Sequence, residues 1–337
     1  MSHIQFHTED RKNPLELTPH ENALYTRVHN KSLRDFVINK FREIDFGKIV
    51  RQWFLTNKGL DVGVVEFMVV GSDGREEKGP ASPLEGVIMI HSPSGVQMSL
   101  DLFDLIALVN HDLGDLDILD PSTEVKNTAG GNLIAYRSKP GVYFPSRVID
   151  GLPVVESGEG LIRKAKMATA QEIVRFQKDI IRKKKDRFSV HQRVTRTGKS
   201  RSHGEDIVHF DLDAGKAFLD RGKYVNGFKY GPLRFVQTWV MMQVVGAVSR
   251  SSDPEAFILE LPSNTADKLN FLHGGKFIDF SSGQVSDLIS LYHYFLWLYH
   301  QSEHAFKYED RGEIDFDISE VRSSLDALLR VVGSLSK

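Results

Sequence analysis

The chain has 337 residues, of which 41% are hydrophobic and 26% charged, with a formal net charge of −2 and no cysteine. This describes a globular protein long enough for two domains and a sizeable core. It excludes disulfides, thiolate metal sites and cysteine nucleophiles, and it gives no bulk affinity for nucleic acid.

Residues 1–29 read as an N-terminal extension. Its first residues carry His3, His7, Glu9 and Asp10 in place of the apolar centre of an export signal. No run approaches the ~18 apolar residues of a membrane span, so a cytoplasmic protein with no membrane partner is expected. Ser32 can cap a helix with apolar positions at Phe36, Val37, Phe41 and Ile44, continuing to about Thr56 with a weak point at Gly47. Asp61 to Val70 reads as a buried strand and Leu84 to Ile90 as its neighbour. Met98 to Asn110 suits a helix packed on a sheet, and Leu116 to Leu119 a short strand stopped by Pro121. Residues 30–150 are thus expected to form a small mixed α/β sheet domain.

Gly130 to Gly160 reads as loops and short strands, Ala165 to Arg187 as a helix, Thr195 to Glu205 as a polar loop, and Ile207 to Leu212 as a strand. Residues 151–230 form a basic α/β connecting region. From Arg163 to Arg201 there are 14 Lys/Arg against three acids, Glu172, Asp179 and Asp186. That excess fits either a solvated helix face or a basic wall for polyphosphate, an RNA such as tRNA, or an acidic protein. Pro232 can open a helix running through Phe235, Trp239 and Val244. Further helices are expected at Pro254–Leu261, Asn264–Gly274, Gln284–Phe306 and Ile318–Leu335, making 231–337 a helix bundle. The fold class is α+β.

The chemistry concentrates where the first strand runs into Gly71-Ser72-Asp73-Gly74-Arg75. A Gly-Ser turn opening a short helix lets backbone N–H groups and the Ser72 hydroxyl meet a phosphate, and Arg75 can add a forked cationic contact. Carboxylates on neighbouring strands would hold Mg²⁺ against the same phosphates.

At these residues the chain resembles the DNA polymerase β-like nucleotidyltransferase superfamily. That family shows an apolar strand, Gly-Ser, a strand with Asp-x-Asp and a later strand with a third Asp. Gly71-Ser72-Asp73-Gly74-Arg75-Glu76-Glu77 is most similar to bacterial uridylyl- and adenylyltransferases of nitrogen regulation, and Lys229-Tyr230-Gly231-Pro232-Leu233-Arg234 resembles a second segment of the same enzymes. The resemblance implies that Gly71, Ser72 and Arg75 hold a nucleoside triphosphate. It implies that Glu85 and Asp117 hold Mg²⁺ and act in catalysis, with a protein or small-molecule hydroxyl as acceptor. The sequence departs from the pattern at Pro83, which stands where the family has its first Asp, with Glu85 at the second. Proline binds no metal, so an inactive nucleotide sensor or protein-interaction module is the alternative, and nucleic-acid binding through 163–201 a third reading.

Two other constellations compete. Asp211 and Asp213 share one face of an apparent strand and could add metal ligands, or Asp213 could cap a following helix. His300-Gln301-Ser302-Glu303-His304 fits a zinc-peptidase spacing, although its helix reads as a bundle helix.

Overall fold

The computed structural model describes residues 13–79, 84–91, 103–112, 124–127, 146–158, 160–202, 205–220 and 225–333. After a 3₁₀ turn at Pro14–Glu16, helix α1 runs from Pro19 to Glu43. It starts well before Ser32 because Thr18 and Glu21 close a capping box ahead of it. α1 is continuous through residues 29 and 30, so no boundary falls there. Asp45, left-handed at φ 49°, breaks the apolar pattern and caps α2 (Phe46–Lys58) two residues before Gly47.

The first sheet contains β1 (Val64–Val69), β2 (Gly86–His91), β3 (Glu124–Asn127) and β4 (Leu152–Val155) in the order β3-β2-β1-β4. β1 is antiparallel to β2 and β4, and β2 is parallel to β3. The turn α3 (Gly71–Gly74) separates β1 from β2, α4 (Phe103–Asp112) lies between β2 and β3, and α5 (Ser146–Asp150) precedes β4. The expected strand Leu116–Leu119, with Asp117, lies outside the described residues, as does Pro83. Period-two alternation assigns the faces. Val65, Phe67, Val69, Ile88 and Ile90 pack with Phe41, Phe46, Phe54, Leu105 and Val109 from α1, α2 and α4. Met68, Val87 and Met89 face the other way, against Val148, Leu161, Ile162 and Ala165.

Those last three residues begin α6, which runs 37 residues from Leu161 to Thr197. Its first N–H groups are answered from across the sheet. Buried Glu66 of β1 accepts from Ile162 N (2.8 Å) and from Ser157 N and Oγ (3.1 and 2.5 Å). α6 then leaves the sheet and buries Ile173, Ile180, Phe188 and Val194 among the C-terminal helices. The region 151–230 is therefore packed into both halves by one helix. The segment expected as a loop after Thr195 is instead the helix end, a left-handed Gly198 and strand β5 (Lys199–Ser202), paired with β6 (Glu205–Val208).

A second small sheet joins β7 (Phe210–Asp211), β8 (Lys216–Asp220), β9 (Val225–Asn226) and β10 (Glu313–Asp315). Lys229–Leu233 forms a π-type turn holding Pro232, which lies one step before the helix it was expected to open. The helical body follows as α7 (Arg234–Arg250), α8 (Pro254–Glu260), α9 (Thr265–Gly274), α10 (Ser282–Glu309) and α11 (Ile318–Gly333). The structure is thus mixed helix and sheet, and no described helix is long and apolar enough to cross a membrane.

Glu66→Ala strips the buried Ile162 N–H at the start of α6, and the two part-buried Ser157 donors just before it, of their acceptor. It is expected to lower unfolding free energy by about 3 kcal/mol in urea denaturation; a loss below about 1 kcal/mol contradicts the capping role.

Candidate functional site

The chain leaves β1 through Gly71, at φ 64°, where a Cβ would collide with the Glu85 carboxylate. Only glycine suits both the left-handed backbone and that approach. The two strands are clamped here. Val70 N donates to Glu85 O (2.9 Å), and Glu85 N donates to Asp73 Oδ2 (3.2 Å). Asp73 is buried and its other oxygen lies 3.2 Å from Lys78 Nζ. Burial lifts Asp73 from 3.8 to about 6, against the pull of Lys78 and the Glu85 N–H.

The rest of the turn is spent on holding the molecule together. Arg75 Nε donates to Glu77 Oε2 (2.8 Å) and Nη1 to Asp150 Oδ2 (3.2 Å). Glu77 Oε2 also accepts from Tyr292 OH (2.8 Å) and Gln237 Nε2 (3.1 Å), while Oε1 accepts from Thr265 N (3.0 Å) at the start of α9. Lys268 Nζ donates to Asp150 Oδ1 (2.7 Å). Burial would raise Asp150, but Lys268 and Arg75 outweigh it and hold the carboxyl below its ordinary value. Glu76 takes a left-handed φ of 57° and is held by Arg34 (2.9 Å) and Arg27 (3.3 Å) of α1. Three buried acids (Asp73, Glu77, Asp150) thus face three buried bases (Arg75, Lys78, Lys268), and the network is neutral within itself.

What lies beside it is not neutral. α6 turns Lys184, Arg187 and His191 towards this junction, and α7 begins with Arg234. Arg234 is solvent-exposed, yet protein crowds it closely enough that burial, then Arg75, lower its guanidinium. Among the described residues Arg234 makes no hydrogen bond or ion pair; its nearest electrostatic counterpart is Glu85. Burial, then Arg187, push Lys184 down to about 8, with Arg234 and Arg75 adding repulsion. Burial holds His191 near 4 although Tyr230 O lies 2.7 Å from Nδ1. Glu85 is half-buried. Beside it, Ser72 is half-buried and its hydroxyl makes no hydrogen bond among the described residues. The arrangement gathers excess positive charge, two uncommitted donors and one accessible carboxylate. That set suits an anion able to accept from several donors at once.

The sequence-derived candidates separate accordingly. Gly71, Ser72 and Glu85 come together. Arg75 is not free for a phosphate, because Glu77 and Asp150 occupy its guanidinium. Asp117 lies outside the described residues. Asp211 and Asp213 are a correction: they form the tight turn between β7 and β8, where Asp211 Oδ1 accepts from the N–H groups of Asp213 and Ala214 (2.9 and 3.1 Å). Asp213 pairs with Arg322 (3.1 Å), and the segment after it is a strand, not a helix to be capped. His300 is buried, its Nε2 donating to Glu77 O (3.2 Å) and its Nδ1 accepting from Asn22 Nδ2 (3.1 Å); Glu303 accepts from Tyr299. Among the described residues no three His, Asp or Glu side chains form a metal-binding group. Sequence reasoning flagged the segments holding Lys184, Arg187 and Arg234 but not their convergence. The available signal was Lys184, Arg187 and His191, which recur on the apolar side of α6 with Ile173, Ile180 and Phe188.

No known protein family matches the chain, and no curated protein matches it.

Asp73 binds its proton more tightly folded than unfolded, so its contribution to stability is lost as pH rises from about 4 to about 6. Unfolding free energies over that range are expected to decline relative to those of Asp73→Asn by roughly 3 kcal/mol. Parallel curves for the two proteins contradict the assignment.

Proposed function

We propose that the protein is a nucleotidyltransferase-fold enzyme that binds the polyphosphate of a nucleoside triphosphate at this site and moves a nucleotidyl group to a protein or small-molecule hydroxyl. The observation that carries the reading is the gathering of Arg234, Arg187 and Lys184 beside half-buried Glu85 and Ser72, with Ser72 and Arg234 making no hydrogen bond among the described residues. The order β1, Gly-Ser turn, β2, α4, β3 supports it, being the order that the resemblance implies. In such a transfer the acceptor oxygen bonds to the α-phosphorus and pyrophosphate leaves. Lys184, Arg187 and Arg234 would oppose the charge that builds on the leaving group. Arg75 would act at one remove, by fixing the turn that presents Ser72. Glu85 is the residue that would hold a Mg²⁺, which would supply neutralisation of the phosphate charge. One accessible carboxylate does not make a two-metal centre, so no step is assigned to the ion.

Pro83 at the family's first Asp position favours a second reading, in which the site binds nucleotide and transfers nothing. Thermal melts with each of the four NTPs, with and without Mg²⁺, followed by transfer from labelled nucleotide, test both. Binding is expected to raise Tm. Arg234→Gln and Ser72→Ala are each expected to weaken binding at least about tenfold. Bound anion holds Lys184 protonated, so affinity falls as pH rises past about 8. Transfer abolished by Glu85→Gln supports the enzyme, and binding without transfer supports the sensor. If no nucleotide shifts Tm at millimolar concentration, both fail.

A further inference from the structure

The side of α6 away from this site carries a second feature. Positions 175, 178, 182, 185, 189, 193 and 196 recur every three or four residues and therefore share one face. All are exposed, and all but Ser189 are Arg or Lys. The buried residues Ile173, Ile180, Phe188 and Val194 lie on other sides of the helix, so this face points away from the core. At 1.5 Å per residue the row is about 32 Å long. It continues into β5, where exposed Lys199 and Arg201 flank buried Ser200. Two acids border the row on one side: Asp179, 3.0 Å from Arg182, and exposed Asp186, one turn beyond Arg182. Residues 163–201 carry an excess of 11 positive charges in a chain of net −2, which leaves −13 on the remainder. The molecule is strongly polarised, and a polyanion is drawn to this face and repelled elsewhere.

We propose that this outer row is a docking surface for the phosphate backbone of double-stranded nucleic acid, read without base specificity. Charge complementarity along the helix carries the assignment; α6 bends at Phe176 (φ −119°, ψ 21°), and its straight part from Lys178 to Arg196 keeps about 27 Å of the row. A duplex presents one charge per ~1.7 Å of axis, so the row faces a continuous line of phosphates. Single-stranded binding uses aromatic platforms for the bases. The one aromatic near the row, Phe176, is half-buried with Arg175 over its ring at 5.1 Å. An acidic protein partner would call for apolar anchors, and Val174 is the one large apolar side chain of α6 that is exposed among the described residues. The proposal does not rest on the nucleotide reading, because the cations of that site belong to the inner side of the same helix.

The test is fluorescence anisotropy of the full chain with labelled 24-base-pair DNA and RNA duplexes, a 24-nucleotide single strand and poly-glutamate, from 50 to 200 mM salt. Six phosphate contacts predict about a 10³-fold loss of duplex affinity across that range. Arg175→Glu/Lys178→Glu/Arg182→Glu/Lys185→Glu should weaken duplex binding more than 100-fold at 50 mM salt and flatten the salt slope by about 3 to 4. The Gln version of the same four changes, checked by an unchanged melting curve, should weaken it to a lesser degree. Duplex binding that ignores these substitutions overturns the proposal. So does poly-glutamate or single-strand binding that exceeds duplex binding, or no duplex binding at 50 mM salt.

Discussion

A guanidinium shut away from water must have its charge answered by the protein, and the answer at Arg75 fixes much of this structure. Glu77, two residues on, takes one side of the fork; Asp150, at the end of α5, takes another. Each acid then recruits further partners: Gln237, Tyr292 and the start of α9 for Glu77, Lys268 for Asp150. The turn between β1 and β2 is thereby locked to α5, α7, α9 and α10 at once. Desolvation offsets most of the attraction within such a network, so it contributes little net stability. Removing one member, however, leaves an uncompensated charge at a cost of about 3–5 kcal/mol. Its role is registration: one arrangement of sheet against helices satisfies every charge.

Close approach completes the lock. Gly79 lies so near the Glu303 carboxylate that a side chain there would collide with it, and His300 beside it holds both Glu77 O and Asn22 of α1. α1 also reaches back to Glu76 through Arg27 and Arg34. Because the network is neutral, the cations beside it are surplus. Lys184 is lowered by burial first and then by Arg187, with Arg234 and Arg75 adding repulsion that Asp150 only partly offsets. A bound anion would relieve that repulsion. Binding and architecture therefore meet at one turn, with Ser72 its one uncommitted polar side chain among the described residues.

Local signals in the sequence read the elements well. The apolar runs at β1 and β2 and the helical patterns at Pro254–Leu261, Asn264–Gly274 and Gln284–Phe306 lie close to the observed strands and helices. Ser32 lies inside α1, whose start is written in the capping box of Thr18-Pro19-His20-Glu21. The end of α6 was misread because its last turns are polar, and polarity alone does not distinguish a loop from an exposed helix face. The role of Arg75 was not legible at all. A Gly-Ser-x-Gly-Arg turn predicts a phosphate contact from local chemistry, whereas the partners that claim the guanidinium include Asp150, 75 residues away. The same holds for Asp211, whose carboxylate the four-residue turn between β7 and β8 consumes, and for Arg234, whose lack of a partner among the described residues is a tertiary fact.

The most direct measurement is a crystal structure of the full chain grown with Mg²⁺ and a non-hydrolysable nucleoside triphosphate. The account predicts phosphates between Ser72 and the Lys184–Arg187–Arg234 cluster, with Arg75 still on Glu77 and Asp150. A nucleotide bound elsewhere, or Arg75 released from Asp150 to grip a phosphate, would contradict it.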